Sequence, residues 1–353
     1  MSSSTLPKCM RAWTFSSQGL PRDILSLDHS YPAPSPPTKS DLLIRVSCVG
    51  LNPGCYITMA TIPPLVRRLL RGPTCPIAEG EFSGVIHLAG PAAPKEFAPG
   101  TPVFGCLPMM RLIAGEGTLA EYIVIPSSLV AVVPQSMSMV QAAGLSGAGQ
   151  TALNMFSAVL VKEGDRILVN GGSGGVGNMV VQLAKAQGAY VVATCSGANA
   201  ELVKGLGADE IVDYRTNKPL HKYLGLEYEK QPFDAIFDTI GTQDLFIYSP
   251  QYLKPNGTVV NVGNFEGPSM TVFRSFINTW LPVFLGGTPR KYLMISTTPN
   301  GNKAARLGQL VEEGRLRVVV DEIVEFEDVL RAYDTMLKRT AKGKIIIKVQ
   351  ELQ

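Results

Sequence analysis

The sequence predicts an α/β protein in two parts: a doubly wound parallel sheet with helices on both faces, and a compact, barrel-like β unit. Three observations predict it. Strand-like and helix-like segments alternate from Ser138 onward, as in a parallel sheet wound by crossover helices. A glycine turn, Gly172-x-Gly174-x-x-Gly177, follows a short apolar run and opens a helical pattern. Before Ser138, short β-rich runs are cut by Pro and Gly clusters. At 353 residues, the chain also exceeds the roughly 250 to 300 residues at which single cores stop growing.

Taken in order, the first strand begins near Met10. Residues 2–22 are serine-rich and free of acid, as a mitochondrial transit peptide would be, but a strand starting at Met10 leaves little to cleave. No apolar segment follows Lys8 and Arg11, so a short tail and a cytoplasmic protein are expected. Leu42 to Val49 and Val85 to Leu88 read as strands, punctuated by YPAPSPP at 31–37 and APGTP at 98–102. Met139 to Phe156 has apolar residues at helical spacing. Arg166 to Val169 is a buried-type strand, Val176 to Gln187 a helix, Tyr190 to Thr194 a strand and Leu202 to Leu206 a short helix. Strands follow at Ala235 to Asp238 and Thr258 to Val262, with Lys291 to Ile295 as the last of that sheet. Ala304 to Glu313 is a helix stopped by Gly314, and Lys344 to Val349 is the final strand. The expected division is 1–135, 136–298 and 299–353, the last returning to the first domain.

Charge and cysteine usage exclude several classes. Lys and Arg total 32 against 29 Asp and Glu, a net charge of +3. So mild an excess predicts neither a nucleic-acid nor a membrane partner. No apolar run reaches the roughly 18 residues of a spanning helix. The cysteines at 9, 48, 55, 75, 106 and 195 form no CxxC or CxxH pair, so metal spacing is absent and a disulfide framework is not expected.

The glycine turn carries the chemistry. Its first glycine allows a tight turn, its second lets backbone approach a pyrophosphate, and its third lets helix pack on strand. The helix start then offers N–H groups and partial positive charge to phosphates. Ser173, Gly174, Gly175, Val176 and Gly177 are the expected contacts. A nicotinamide dinucleotide lacking the 2′-phosphate is usually gripped by an acid about 20 residues on. Here the next strand ends Thr194-Cys195-Ser196, with no acid before Glu201. A hydroxyl there suits a 2′-phosphate and favours NADPH, with Lys204, Tyr214 and Arg215 as further contacts. Solvated surface charge is the alternative for Lys204 and Arg215.

With these residues in view, the chain resembles a medium-chain dehydrogenase/reductase of the quinone and enoyl reductase branch. The landmarks stand in order: Leu51-Asn52-Pro53, Glu79-Gly80-Glu81-Phe82-Ser83-Gly84, Gly117-Thr118-Leu119-Ala120-Glu121-Tyr122, Gly149-Gln150-Thr151-Ala152, the glycine turn, and Leu206-Gly207-Ala208-Asp209 leading to Asp213-Tyr214. The likeness runs from Met10 to Val349 and is strongest to fungal biosynthetic reductases. It implies a GroES-like β-barrel domain built from both chain ends, a Rossmann domain between, and a cleft where nicotinamide and substrate meet. Zinc-dependent members place a ligand Cys where this chain has Asn52 and a ligand His where it has Gly80. Neither is a useful zinc ligand, and the four-cysteine structural lobe is missing, so no metal is expected. That disfavours alcohol oxidation through a zinc alkoxide and favours hydride delivery to a carbon polarised by its own carbonyl.

The resemblance also implies contacts. Asn52 and Thr151 are expected near the nicotinamide, and Ser196 and Tyr214 at the ribose phosphate. Thr239, Ile240, Val262 and Gly263 are expected beside the nicotinamide, with Lys344 closing over the cofactor. Two departures stand out. Relatives often carry Asp where this chain has Cys55, and a Lys for the 2′-phosphate where it has Asn199.

Reducing an enone needs a proton at the α-carbon and stabilisation of the enolate oxygen. Tyr56, one turn after Asn52, is the candidate donor, with plain packing or a water donor as alternatives. Asn52, backbone N–H groups or the ribose hydroxyl are candidates for the enolate. Cys55 reads as a reactive thiol or, by default, a buried inert one. VRRLLR at 66–71 reads as a solvated face or a contact to a carrier-bound substrate. Phe273, Trp280 and Phe284 lie in the most apolar stretch outside the strands and are candidates to shape a pocket for a bulky substrate, with core or interface packing as the alternative. The expected function is zinc-independent, NADPH-dependent reduction of an activated C=C bond or a quinone, on a hydrophobic, polyketide-type substrate, free or carrier-bound. Ketone or imine reduction and a nucleotide-assisted cyclisation or isomerisation are alternatives; an NADPH-binding interaction protein without turnover is another. A monomer or a homodimer is expected.

Overall fold

The computed structural model describes residues 6–70, 72–264 and 266–351. The chain forms two units. One comprises the chain up to Gln150 together with Thr298–Glu313 and the chain from Val318; the other comprises Thr151–Thr297 and Gly314–Arg317. The change expected at residue 135 comes later, inside the helix Met139–Ala158, whose first half belongs to the first unit.

The second unit holds a six-stranded, all-parallel sheet in the order Glu210–Asp213, Tyr190–Cys195, Arg166–Asn170, Phe233–Asp238, Leu253–Asn261, Lys291–Met294. In sequence order of its strands this is 3-2-1-4-5-6, the doubly wound arrangement with its reversal between Arg166–Asn170 and Phe233–Asp238. The strands read as unbroken apolar runs because helices cover both faces; Ile167, Leu168, Val169, Val191, Val192 and Ile236 are fully buried.

The first unit is built on a seven-stranded, mostly antiparallel sheet and a separate two-stranded one, Cys9–Phe15 with Leu25–Pro32. The long strand Asp41–Gly50 is its spine. Along one edge it pairs with Glu81–Ala89. Along the other, its first half pairs with Tyr122–Pro126 and its last residues with the C-terminal strand Lys344–Lys348. Phe82, Ile44, Met59, Phe326 and Tyr333 fill its core, each large side chain contributing roughly 1.5–3 kcal/mol. The expected α/β fold, a Rossmann-type sheet plus a β unit built from both chain ends, is the one found. Helices at Pro53–Thr61 and Pro268–Trp280 went unrecognised in the sequence because Pro and Gly at their starts read as loop. Among the described residues, no helix is long and apolar enough to cross a membrane.

Candidate active site

In the first unit, strand pairing sets Gly50 between Ile346 on one side and Glu81 on the other. Three adjacent strand ends therefore deliver Asn52, Glu81 and Lys344 to one place, although 292 residues separate Asn52 from Lys344. Lys344 is 3% exposed and Glu81 1%. The ammonium Nζ donates to Glu81 Oε2 at 2.8 Å, to Asn52 Oδ1 at 2.7 Å and to the Leu51 carbonyl at 3.0 Å. Asn52 Nδ2 donates to Glu81 Oε2 at 3.0 Å and to the Gly50 carbonyl at 3.1 Å. Glu81 Oε1 accepts the Gly147 N–H at 2.6 Å.

An ammonium has three hydrogens and a primary amide two. All three of Lys344 are directed to protein oxygens, among them that of Asn52. Both amide hydrogens of Asn52 are likewise directed to Gly50 and Glu81. The donation from Lys344 fixes the amide oxygen on that side, and the lone pair remaining there is what Asn52 can offer a ligand.

Two further buried groups, which the sequence reading did not single out, complete this cluster. Glu79 is 2% exposed and accepts from Tyr333 Oη at 2.6 Å and from the Asn52 backbone N–H at 3.2 Å. Burial raises its carboxyl to about 7. Because the folded-state value lies above the ordinary 4.5, this group favours the fold below 4.5 and loses that contribution as pH rises through about 7. Burial and the neighbouring Glu79 carboxylate push the Cys55 thiol well above its usual range, so its chemistry is that of an inert buried thiol. Tyr56 lies on the helix Pro53–Thr61 and packs its ring against the core.

In the second unit, the glycine turn sits at the carboxyl end of Arg166–Asn170, beside the reversal of strand order. Three strands brace it: Thr194 Oγ1 donates to Asn170 Oδ1 at 2.6 Å, and Asn170 Nδ2 to Asp238 Oδ1 at 2.8 Å. Asp238 Oδ1 also accepts the Ile240 and Gly241 N–H groups, which fixes the turn carrying Thr239 and Ile240. Val262 and Gly263 follow the adjacent strand, and Gly263 packs directly on Ile240 and Gly241. The Thr151 and Thr297 hydroxyls are bonded to each other.

The glycines separate structural need from ligand space. A Cβ on Gly177 would lie 2.0 Å from the Gly171 carbonyl oxygen, so the fold forbids a side chain there. A Cβ on Gly174 would meet only that oxygen, at 3.5 Å. Gly174 has φ −76°, which any residue adopts. The fold thus leaves room at Gly174, and the unfilled space lies at the start of Gly175–Ala186, where helix N–H groups lack intrahelical partners. These residues fit a pyrophosphate. Farther along, Asn199 Nδ2 donates to Ser173 Oγ at 3.1 Å and Ser196 is 6% exposed. Tyr214 is 41% exposed, with the Arg215 guanidinium over its ring. The Asp213 carboxylate, on the neighbouring strand, lies beside this turn, its Oδ2 2.6 Å from where a Gly197 Cβ would stand.

Phe273, Trp280 and Phe284 are 59%, 70% and 84% exposed. The helix Pro268–Trp280 turns its polar side inward: Ser275 Oγ meets Tyr292 Oη, and Asn278 exchanges bonds with Gln243. These three aromatic side chains are therefore not part of the core. Val66, Arg68, Leu69 and Leu70 are exposed, as on a solvated face, while Arg67 is buried; Arg71 lies outside the described residues.

Residues 175–285 match the family model described as zinc-binding dehydrogenase. The chain is 35% identical over 371 residues to the medium chain reductase pydE of an Acremonium species, covering 96% of this chain and 99% of that protein. It is 36% identical over 380 residues to the trans-enoyl reductase poxH of Penicillium oxalicum, covering 97% and 98%. A solved quinone oxidoreductase from Coxiella burnetii superposes with a TM-score of 0.81 at 29% identity, covering 97% of this chain and 99% of that one. Full-length identity above 30% and the shared fold together show that the chain belongs to the medium-chain dehydrogenase/reductase superfamily, in its quinone oxidoreductase and trans-enoyl reductase branch.

Proposed function

We propose that this oxidoreductase reduces the activated C=C bond of a hydrophobic enoyl thioester with NADPH and without a metal. The observation that carries the reading is the Asn52–Lys344–Glu81 cluster. At the two positions where zinc-dependent relatives have ligands stand Asn52 and Gly80, and the donor atoms around Asn52 are closed into an ion pair. Nothing in that donor set suits a Lewis acid for an alkoxide, whereas an enoyl thioester brings its own polarising carbonyl. The trans-enoyl reductases matched along nearly the whole chain support the substrate class.

Bound NADPH would supply the hydride to the β-carbon. Gly174, Gly175, Val176 and Gly177 would hold its pyrophosphate, Ser196 and Tyr214 its ribose phosphate. Asn52, held by Lys344, would orient the nicotinamide through its remaining lone pair. A proton must reach the α-carbon, and Tyr56 or water is its source; the thiol of Cys55 is too weak an acid.

The test is NADPH consumption by the purified, EDTA-treated protein with a 2-enoyl thioester and its saturated counterpart. Oxidation of NADPH with the unsaturated compound alone is expected. Consumption with a saturated ketone instead would replace this reading with carbonyl reduction. NADPH binding with no consumption on any of them would favour an interaction protein.

Cofactor choice has its own test. Ser196→Asp would set a carboxylate against the 2′-phosphate and beside Asp213. It should cut kcat/KM for NADPH at least about tenfold, roughly 1.4 kcal/mol, while NADH changes little. Equal losses with both would place the 2′-phosphate elsewhere.

A further inference from the structure

Among the described residues, Glu79 is one of three non-glycine residues with positive φ, at +62°. The left-handed region is uncommon for such a side chain and marks a position held by its surroundings. The same side chain is almost fully buried. Lys344, the nearest cation, sends all three N–H bonds to other acceptors. A strained backbone and a buried acid lacking a direct cation partner are both unfavourable, and a glycine would remove both.

What the carboxyl touches suggests its purpose. The Asn52 N–H and the Tyr333 hydroxyl donate to it, and the Cys55 thiol bonds it as well. Asn52 precedes the helix Pro53–Thr61 but makes no side-chain capping bond, since its amide serves Lys344, Glu81 and Gly50. The Asn52 carbonyl takes the first helical bonds, from the Cys55 and Tyr56 N–H groups; from outside the helix, Lys344 and Glu81 hold its side chain and Glu79 its N–H.

We propose that Glu79 is a positioning residue for Asn52, its carboxylate holding the Asn52 main chain at the start of Pro53–Thr61 while Lys344 and Glu81 hold the side chain. The ionisable groups around Glu79 are Cys55 on that helix, Tyr333 on the helix Val329–Leu337, Lys344 on the C-terminal strand and Glu81 two residues further along the chain. The hydroxyl and the thiol can each donate or accept, so both ionisation states of Glu79 find partners. The carboxylate takes the stronger bond from the Asn52 N–H, and the clamp tightens as pH rises. The activity consequences rest on the reductase reading; the geometry does not.

Two variants and two readouts test it. The first readout is the backbone amide shift of Asn52, followed by NMR with selective asparagine labelling from about pH 5 to 9. In the wild type it should titrate near 7, and in Glu79→Gln the titration should vanish. The second is turnover of NADPH with a 2-enoyl thioester. Wild-type kcat should rise through the same range, while Glu79→Gln should be flat at the wild type's low-pH level. The double variant Glu79→Gly/Tyr333→Phe removes the strain, the buried acid and the hydroxyl it would orphan. It also leaves the Asn52 N–H without its acceptor, so it should stay folded, melting within a few degrees of wild type, yet lose about tenfold in kcat, as supporting-shell losses typically do, with KM for NADPH little changed. Wild-type kcat in the double variant, or an Asn52 amide shift blind to both pH and Glu79→Gln, would overturn the proposal. If the wild type reduces no enoyl thioester, the functional reading fails while the Asn52 shift still decides the positioning role.

Discussion

Lys344→Met is expected to destabilise the first unit by about 3–5 kcal/mol, because it strands the buried Glu81 carboxylate without its cation. The two charged side chains are 3% and 1% exposed, so water cannot take the place of the ammonium. The reporter is Trp13, buried in that unit with its indole N–H on the Phe326 carbonyl. Its fluorescence during urea unfolding should be read in a Trp280→Phe background, which removes the other tryptophan. The double variant Lys344→Met/Glu81→Gln should recover more than half of the loss. The substituted amide retains an oxygen for the Gly147 N–H but carries no charge. Equal losses in single and double variants would show that the ammonium acts through packing rather than by neutralising Glu81.

Gly174→Ala and Gly177→Ala should fail in opposite ways. The alanine Cβ at 177 would stand 2.0 Å from the Gly171 carbonyl oxygen, and backbone must move to admit it. A loss of about 3 kcal/mol or more in stability is expected, at or beyond the usual cost of overpacking. At 174 the Cβ has room within the protein, so stability should be near wild type. There the methyl would occupy space left for the pyrophosphate, and the NADPH Kd should rise about tenfold to a hundredfold, or roughly 1.4–2.8 kcal/mol. Calorimetric binding beside thermal melts of both variants separates the two effects. Unchanged affinity in Gly174→Ala would put the phosphates elsewhere.

The sequence alone determined the fold and the glycine turn, because both rest on local patterns. An apolar run, a glycine turn and an amphipathic helix occur within some twenty residues, and the landmarks around Asn52 and Glu81 stand in unbroken segments. Only the tertiary structure decided what these residues do. Lys344 reads in sequence as one cation near a returning strand. Antiparallel pairing with Asp41–Gly50 places it against Asn52 and Glu81, and all its hydrogens find acceptors there. Tyr333, on the helix Val329–Leu337, and Glu79, 254 residues apart, meet through packing in the core of the first unit, and no spacing rule records them. Asp213 comes to the Ser196 turn by parallel pairing of neighbouring strands, so a search for acids along the chain passes it by. Phe273, Trp280 and Phe284 read by composition as pocket-lining residues or as core or interface packing. The structure exposes them, because the helix that carries the first two is held to the sheet by its polar side, through Ser275, Tyr292, Asn278 and Gln243. Local hydropathy fixes which segments become strands and helices; which hydrogen-bonding group meets which is settled by long-range strand pairing and packing.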